Sequence, residues 1–250
     1  MSPPPASLPP ALHGWDVSAG EARRLQDSLR KQVVLKEPAT PVRHIAGVDC
    51  GFEDQGRITR AVVAVFGYPA LTPEHTVVAR RATSFPYIPG LLSFREIPAV
   101  LDAMAQLPQL PDLLLCDGQG IAHPRRMGIA THLGLWLDLP SIGVGKSRLV
   151  GHFTEPGTRR GDATELMDKG ERIGTVLRSR DHVRPLFVSP GHRMSHGGAV
   201  QWVLNTLGRY RLPEPIRQAD RVASRRGSRP GKLAIAGNPG GDTPAAGPGD

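Results

Sequence analysis

Asp112-Leu-Leu-Leu-Cys-Asp-Gly-Gln-Gly-Ile-Ala-His-Pro-Arg125 is the stretch on which the reading of this chain turns. Leu113 to Cys116 form an apolar run too short for a helix without flanking periodicity. Between Pro111 and Gly118 the run reads as a strand buried on both faces. It carries a carboxylate, Asp117, into a turn bracketed by Gly118 and Gly120 and followed by His123, Pro124 and Arg125. Open α/β sheets place their chemistry at such strand ends. A surface turn with Asp as turn former fits the segment equally well. A second acid on a second strand decides between the two.

That second strand lies upstream. His44-Ile-Ala-Gly-Val-Asp-Cys-Gly-Phe52 ends in the turn cluster Glu53 to Gly56 and bears Asp49. Arg60 to Tyr68 and Thr76 to Thr83 follow after short turns, which suggests an antiparallel meander. A helix beginning near Leu92 then lets the Leu113 strand return parallel to the first by a right-handed crossover. Neighbouring strands lie ~4.8 Å apart, so Asp49 and Asp117 could share a hard divalent cation. Without one they would repel each other and one pKa would rise. Oxygen ligands suit Mg²⁺. Glu96, from the crossover helix, could supply a third oxygen and Asp220 a fourth.

Around this centre, Ser18-Ala-Gly-Glu21 is a capping box ahead of Ala22, Leu25, Leu29 and Val33 at helical spacing, so a first amphipathic helix is expected. A helix over Met127 to Asp138 leads into a short strand from Ser141 to Lys146. A loop rich in Gly and Arg precedes a hairpin of Arg172–Leu177 with Pro185–Ser189, and a last long helix runs from Gly197 to about Leu207. Trp136 and Trp202 lie on predicted helices as core residues. Arg211 to Asp220 forms a turn and a short helix.

The chain has 250 residues, 39% of them hydrophobic, which allows one domain with a real core. Glycine and proline crowd the two ends, so residues 1–12 and 224–250 are expected to be disordered tails around a folded domain over 13–223. No run approaches the length of a membrane span, and no charged region precedes an apolar stretch at the N-terminus. Neither an anchor nor a signal peptide is expected. Cys50 and Cys116, the only two cysteines, sit in predicted strands as small buried residues of a reducing, cytoplasmic setting rather than as a disulfide framework. The net charge of +8 favours a polyanionic partner.

Two tempting motifs fail. Gly143-Val-Gly-Lys-Ser147 suggests a nucleotide loop, but the full pattern needs glycine where Pro140 stands. Lys146 could instead meet a scissile phosphate, or be a solvated lysine. His192 and His196 have the spacing of a helical metal pair, yet no third ligand accompanies them. His192 with Arg193 is read as contacting backbone phosphate or packing locally. Pro86-Tyr-Ile-Pro89 is a stiff loop. Its Tyr87 and Ile88 either cap the core or act as a wedge that fills the gap left by a base rotated out of the stack.

Several of these motifs, taken together and in order, resemble the endonuclease V family. They are His44-Ile-Ala-Gly-Val-Asp49, Phe85-Pro-Tyr-Ile-Pro-Gly90 with Leu92-Ser-Phe-Arg-Glu96, and Asp117-Gly-Gln-Gly-Ile-Ala-His-Pro-Arg125. Gly143-Val-Gly-Lys146, Val188-Ser-Pro-Gly-His192 and Arg211-Leu-Pro-Glu-Pro-Ile-Arg217 complete the set. The likeness runs from the first helix to about Ala223. It implies an α/β, ribonuclease H-like mixed sheet flanked by helices. It implies Mg²⁺-dependent nicking, with Mn²⁺ as a substitute, of nucleic acid containing deaminated adenine. The cut falls at the second phosphodiester 3′ to the hypoxanthine and leaves 3′-hydroxyl and 5′-phosphate ends. Asp49 and Asp117 match the family's metal-binding aspartates, Glu96 its catalytic glutamate, Lys146 its lysine near the phosphate and Tyr87 its wedge. Asp220 stands where the family has Asp or His. Pro86, Ile88, Pro89, Gly90, Gly118, His123 and His192 are placed near the damaged DNA. Backbone groups around Gly118–Ile121 and the Pro89-Gly90 turn are the expected readers of the base, and a monomer is expected. Inosine-containing RNA or branched DNA as substrate, or a non-catalytic binding module, are the competing readings.

Overall fold

The computed structural model describes residues 6–224. In chain order these form α1 (Ala19–Leu29), β1 (His44–Glu53), β2 (Ile58–Gly67), β3 (Thr72–Ala82), α2 (Leu92–Met104), β4 (Leu113–Asp117), α3 (Ile129–Leu137), β5 (Ser141–Gly145), β6 (Ala163–Asp168), β7 (Glu171–Leu177), β8 (Leu186–Pro190), α4 (His196–Asn205) and α5 (Glu214–Ala223). Among the described residues the strands make one mixed sheet in the order β3-β2-β1-β4-β5-β8-β7-β6. The first three strands are an antiparallel meander, as their short turns require. β1, β4 and β5 run parallel because α2 and α3 carry the chain back across the sheet. β8 and then β7 and β6 return to antiparallel pairing.

Alternation along the strands assigns the two faces. Ala46 and Val48 of β1 and Leu114 and Cys116 of β4 pack with residues of α2 and α3. Ile45, Leu113 and Leu115 point the other way, into a cluster with Val203 of α4 and Ile216 of α5. β2 is buried from Thr59 to Phe66 because α2 lies on one of its faces and α5 on the other. The expected α/β mixed sheet flanked by helices is the one observed.

Three local expectations differ. The segment read as a loop between β5 and β7 contains β6, whose side chains are largely exposed. Only Leu166 of that strand is buried, so no apolar alternation marked it, and pairing with β7 makes it a strand. The first helix keeps its capping box, with the Ser18 hydroxyl accepting from the Glu21 N–H. It ends at Leu29 and tightens into a 3₁₀ turn over Arg30–Gln32 instead of continuing to Val33. Residues 6–12, expected to be disordered, are laid against the domain. The Ala6 N–H donates to the Leu107 carbonyl at 2.7 Å and Leu8 packs on the core beside Trp15. Apolar anchors spaced through the proline-rich stretch explain this order. Residues 225–250, which make up the rest of the expected C-terminal tail, lie outside the described residues. Among the described residues no helix is long and apolar enough to cross a membrane.

Candidate metal centre and base pocket

β1 and β4 are hydrogen-bonded parallel neighbours with Val48 opposite Cys116, so the next residues stand side by side: Asp117 ends β4, whereas Asp49, expected to end the first strand, lies inside β1 and pairs with Val62 of β2. Both have odd numbers in the alternation that points Ile45 and Leu115 toward α5, so both aim at that face. α5 brings Asp220 to meet them. Ligand oxygens of Asp49, Asp117 and Asp220 lie within 4.8 Å of one another, the one such metal-competent group among the described residues. Each is partly buried.

The close approach of α5 depends on glycines flanking Asp49. A Cβ on Gly47 would lie 2.1 Å from the Pro215 carbonyl, and one on Gly51 would lie 2.6 Å from the Ala223 oxygen. Gly47, Asp49 and Gly51 share one face of β1 by period two, so α5 rests on two bare positions with the carboxylate between them. Gly47→Ala is therefore expected to push α5 outward, costing ~1–3 kcal/mol by overpacking. It should also weaken Mn²⁺ binding about tenfold or more, as loss of supporting structure around metal ligands does. Thermal unfolding and calorimetric titration of the metal check this. A variant that melts and binds like the parent would show that α5 does not depend on these contacts.

Burial and mutual repulsion disfavour the charged form of the strand acids, and Lys146 offsets this only in part. Burial, and next the charge of Asp117, raise the Asp49 pKa to about 7. Burial also raises Asp117, outweighing its pairing with Lys146. Lys146, just past β5, lies 2.6 Å from Asp117 and pairs with Asp220 as well. Burial opposes its charge, but the two acids prevail and hold its pKa above the ordinary lysine range. Arg211, which the sequence reading left unassigned, donates to the Lys146 carbonyl at 3.1 Å and to the Arg184 and Pro185 carbonyls at 2.8 Å. It thereby ties the loop of Lys146 to the connection ahead of β8. An oxygen-only donor set, with raised pKa values at Asp49 and Asp117, fits a hard divalent cation.

Glu96 stands outside the set of three. It reaches the strand ends from α2, on the opposite side of the sheet, and is 7% exposed. Burial first, and then the charges of Asp49 and Asp117, raise it to about 8. Asp220 rather than Glu96 thus completes the close group, because α5 and the two strand carboxylates share a face.

Beside the acids opens a cavity of about 240 Å³ walled by Tyr87, Gly90, Gly118, His123, Ile129 and Leu149, with Asp117 on its rim. Tyr87 is 70% exposed, flanked by the exposed Pro86 and Pro89, while Ile88 packs inward on Leu91 and Phe94. The tyrosine therefore does not cap the core. Gly118 has φ +142°, and a Cβ there would meet Ile129 at 2.8 Å. The N–H groups of Gly118, Gly120 and Ile121 donate to Val144 O, Ser189 Oγ and Pro190 O. These three amides are hydrogen-bonded within the fold. The Gly90 carbonyl is likewise taken up, by Gln26, His123 and Arg125.

His123 lines the cavity but is 4% exposed, with both ring nitrogens engaged. His192 is not brought to the site. Its N–H donates to Ser141 Oγ at the first residue of β5, the end opposite Lys146. Its ring is 4% exposed and lies 3.1 Å from Asp138 and 3.3 Å from the Val34 N–H. Of the two earlier readings of His192, local packing is the one observed.

A family model for Endonuclease V matches residues 27–221. The chain belongs to the endonuclease V family. It is 61% identical over 215 residues to Endonuclease V of Alkalilimnicola ehrlichii, spanning 86% of this chain and 95% of that relative. The crystal structure of Endonuclease V from Streptomyces avermitilis matches with a TM-score of 0.80 at 42% identity, over 84% of this chain and 93% of that one. Endonuclease V of Ciona intestinalis, solved in complex with a 24mer DNA containing an inosine followed by a ribo-adenosine, matches with a TM-score of 0.72 at 26% identity. That match covers 82% of this chain and 95% of the Ciona chain.

Proposed function

We propose that this endonuclease V family member nicks DNA at deaminated adenine, hydrolysing the second phosphodiester 3′ to the hypoxanthine and leaving 3′-hydroxyl and 5′-phosphate ends. The observation that carries the reading is the convergence of Asp49, Asp117 and Asp220 within 4.8 Å beside a cavity with an exposed aromatic at its lip. The inosine-containing DNA held by the Ciona relative supports the substrate. Asp49, Asp117 and Asp220 would hold Mg²⁺, or Mn²⁺ in its place. When bound, such a cation neutralises phosphate charge and lowers the pKa of water for attack.

The chain's own residues supply the rest. The Lys146 ammonium sits where it can pass from the carboxylates to a phosphate oxygen and offset developing negative charge. Glu96, buried on the α2 side and coupled by charge to Asp49 and Asp117, would complete or orient the metal site. Tyr87 would stack into the gap left by the extruded base, which enters the cavity lined by Gly118 and Ile129. Hypoxanthine differs from adenine by an O6 acceptor and an N1–H donor, so the cavity must reverse adenine's hydrogen-bond pattern. The free thiols of Cys50 and Cys116 suit a reducing cytoplasm.

The test is a labelled duplex with one deoxyinosine, alongside the same sequence undamaged, single-stranded and as RNA. A Mg²⁺-dependent nick at the second 3′ phosphodiester, abolished by chelation and absent from the undamaged duplex, is expected. No nick, or equal cutting of damaged and undamaged strands, overturns the reading. Preferential cutting of inosine RNA would move the substrate from DNA to RNA.

A further inference from the structure

Gly90 closes the loop that presents Tyr87, with its backbone in the left-handed region at φ +78°. Its carbonyl oxygen accepts from Gln26 Nε2 at 3.0 Å, His123 Nε2 at 3.1 Å and Arg125 Nη2 at 2.8 Å. A carbonyl offers two lone pairs, so three donors saturate it. The donors are themselves immobilised. Gln26, fully buried on α1, also donates to the Met127 carbonyl at 3.3 Å, and its Oε1 accepts from Arg125 Nε. His123 Nδ1 accepts from the backbone N–H groups of Arg125 and Met127, which leaves Nε2 as the protonated nitrogen facing Gly90. The other end of the loop is anchored as well. Phe85 is buried against Phe94, and its carbonyl accepts from Arg95 Nη1 at 3.2 Å. Arg95 in turn stacks on Phe52, with its guanidinium 4.5 Å from the ring centre.

Of these residues, Gln26 has no part in the metal group or the cavity lining. It lies just before the segment matched by the family model. It is also a fully buried polar side chain on a helix whose inward positions, Ala22 and Leu29, are apolar. A buried amide must satisfy its polar atoms, and Gln26 does so only by joining α1, the Gly90 turn and the stretch after β4.

We infer that Gln26 is a positioning residue for lesion recognition: by locking the Gly90 carbonyl it holds Tyr87 at a fixed separation from the Gly118–Ile129 wall of the cavity. This rests on the hypoxanthine-nicking reading above. A loop ordered in advance need not be ordered when DNA binds, so the clamp should act on substrate capture and leave the hydrolytic step alone.

The test uses Gln26→Met, which keeps the volume and removes both donor and acceptor, and Gln26→Glu, which keeps the acceptor for Arg125 and removes the donor to Gly90. For both variants KM for hypoxanthine-bearing duplex should rise tenfold or more with kcat within twofold of the parent, and affinity for undamaged duplex should not change. Hydrogen exchange at the amide of Leu91, which donates to the Ile88 carbonyl at 2.9 Å at the end of the loop, should quicken at least tenfold while β1 and β4 stay protected. Unchanged KM and unchanged loop exchange overturn the inference. So does a fall in kcat with faster exchange across the whole sheet, the signature of a merely structural buried glutamine. If the parent protein fails to cut hypoxanthine DNA at all, the functional reading falls by itself. The exchange measurement needs no substrate and still decides whether Gln26 holds the loop.

Discussion

Asp117→Asn is expected to lower the single-turnover rate of nicking by at least about 1,000-fold, the scale on which loss of a central catalytic group acts. The substitution keeps the shape of a side chain at the end of a fully buried strand run. What changes is charge: one of three clustered carboxylates becomes a neutral amide, which weakens the hold on a divalent cation and releases Lys146 from its 2.6 Å ion pair. Binding of damaged DNA should persist in part, because the cavity wall and Tyr87 are untouched. The same exchange removes a like-charge neighbour that helps raise Asp49 to about 7. The variant should therefore unfold, in the absence of divalent metal, at the parent's temperature or above it. That opposition between activity and stability is what a functional cluster of repelling acids predicts. Asp49→Asn should behave alike. Cutting within tenfold of the parent by either variant would remove the metal-centre argument.

Tyr87→Ala is the second large effect. The ring is 70% exposed on a loop stiffened by Pro86 and Pro89 and anchored at Phe85 and Gly90, so its removal should cost the free protein no more than ~0.5 kcal/mol. Base–aromatic stacking is worth ~1–3 kcal/mol, so kcat/KM on a hypoxanthine-bearing duplex should fall ~5- to 150-fold. Non-specific affinity for undamaged duplex should stay put, since phosphate contacts supply it. Competition binding and steady-state cutting on paired substrates measure both. Equal losses on damaged and undamaged DNA would make the tyrosine a general contact and not a lesion probe.

The parts of the site visible from sequence were those tied to local pattern. Asp49 and Asp117 each end an apolar run, and a helical crossover lets the second strand return parallel beside the first, as it does. Asp220 was named as a possible fourth oxygen and stands where the family has Asp or His, but nothing in its own segment places it against β1. The Gly47-x-Asp49-x-Gly51 alternation was the available signal that a helix would rest there. Glu96 was expected as a further oxygen ligand from the crossover helix and as the match to the family's catalytic glutamate; that α2 covers the face opposite α5 is not written in its own segment. Gln26 and Arg211 escaped notice for a common reason. Their roles consist of hydrogen bonds to carbonyls more than sixty residues away or on another loop. A buried glutamine at the Ala22 spacing was the one hint.

By itself the sequence determined the strands and helices of the mixed sheet, the two acids that follow apolar runs and the family that their motifs resemble, because apolar periodicity and turn residues act over short stretches of chain. Only the tertiary structure decided that Asp220 and not Glu96 joins those acids, that His192 sits at the far end of β5, and that the Tyr87 loop is pinned from α1. Those outcomes depend on which sheet face each helix packs against and on where buried polar groups find partners, and both are settled by packing between segments remote in the chain.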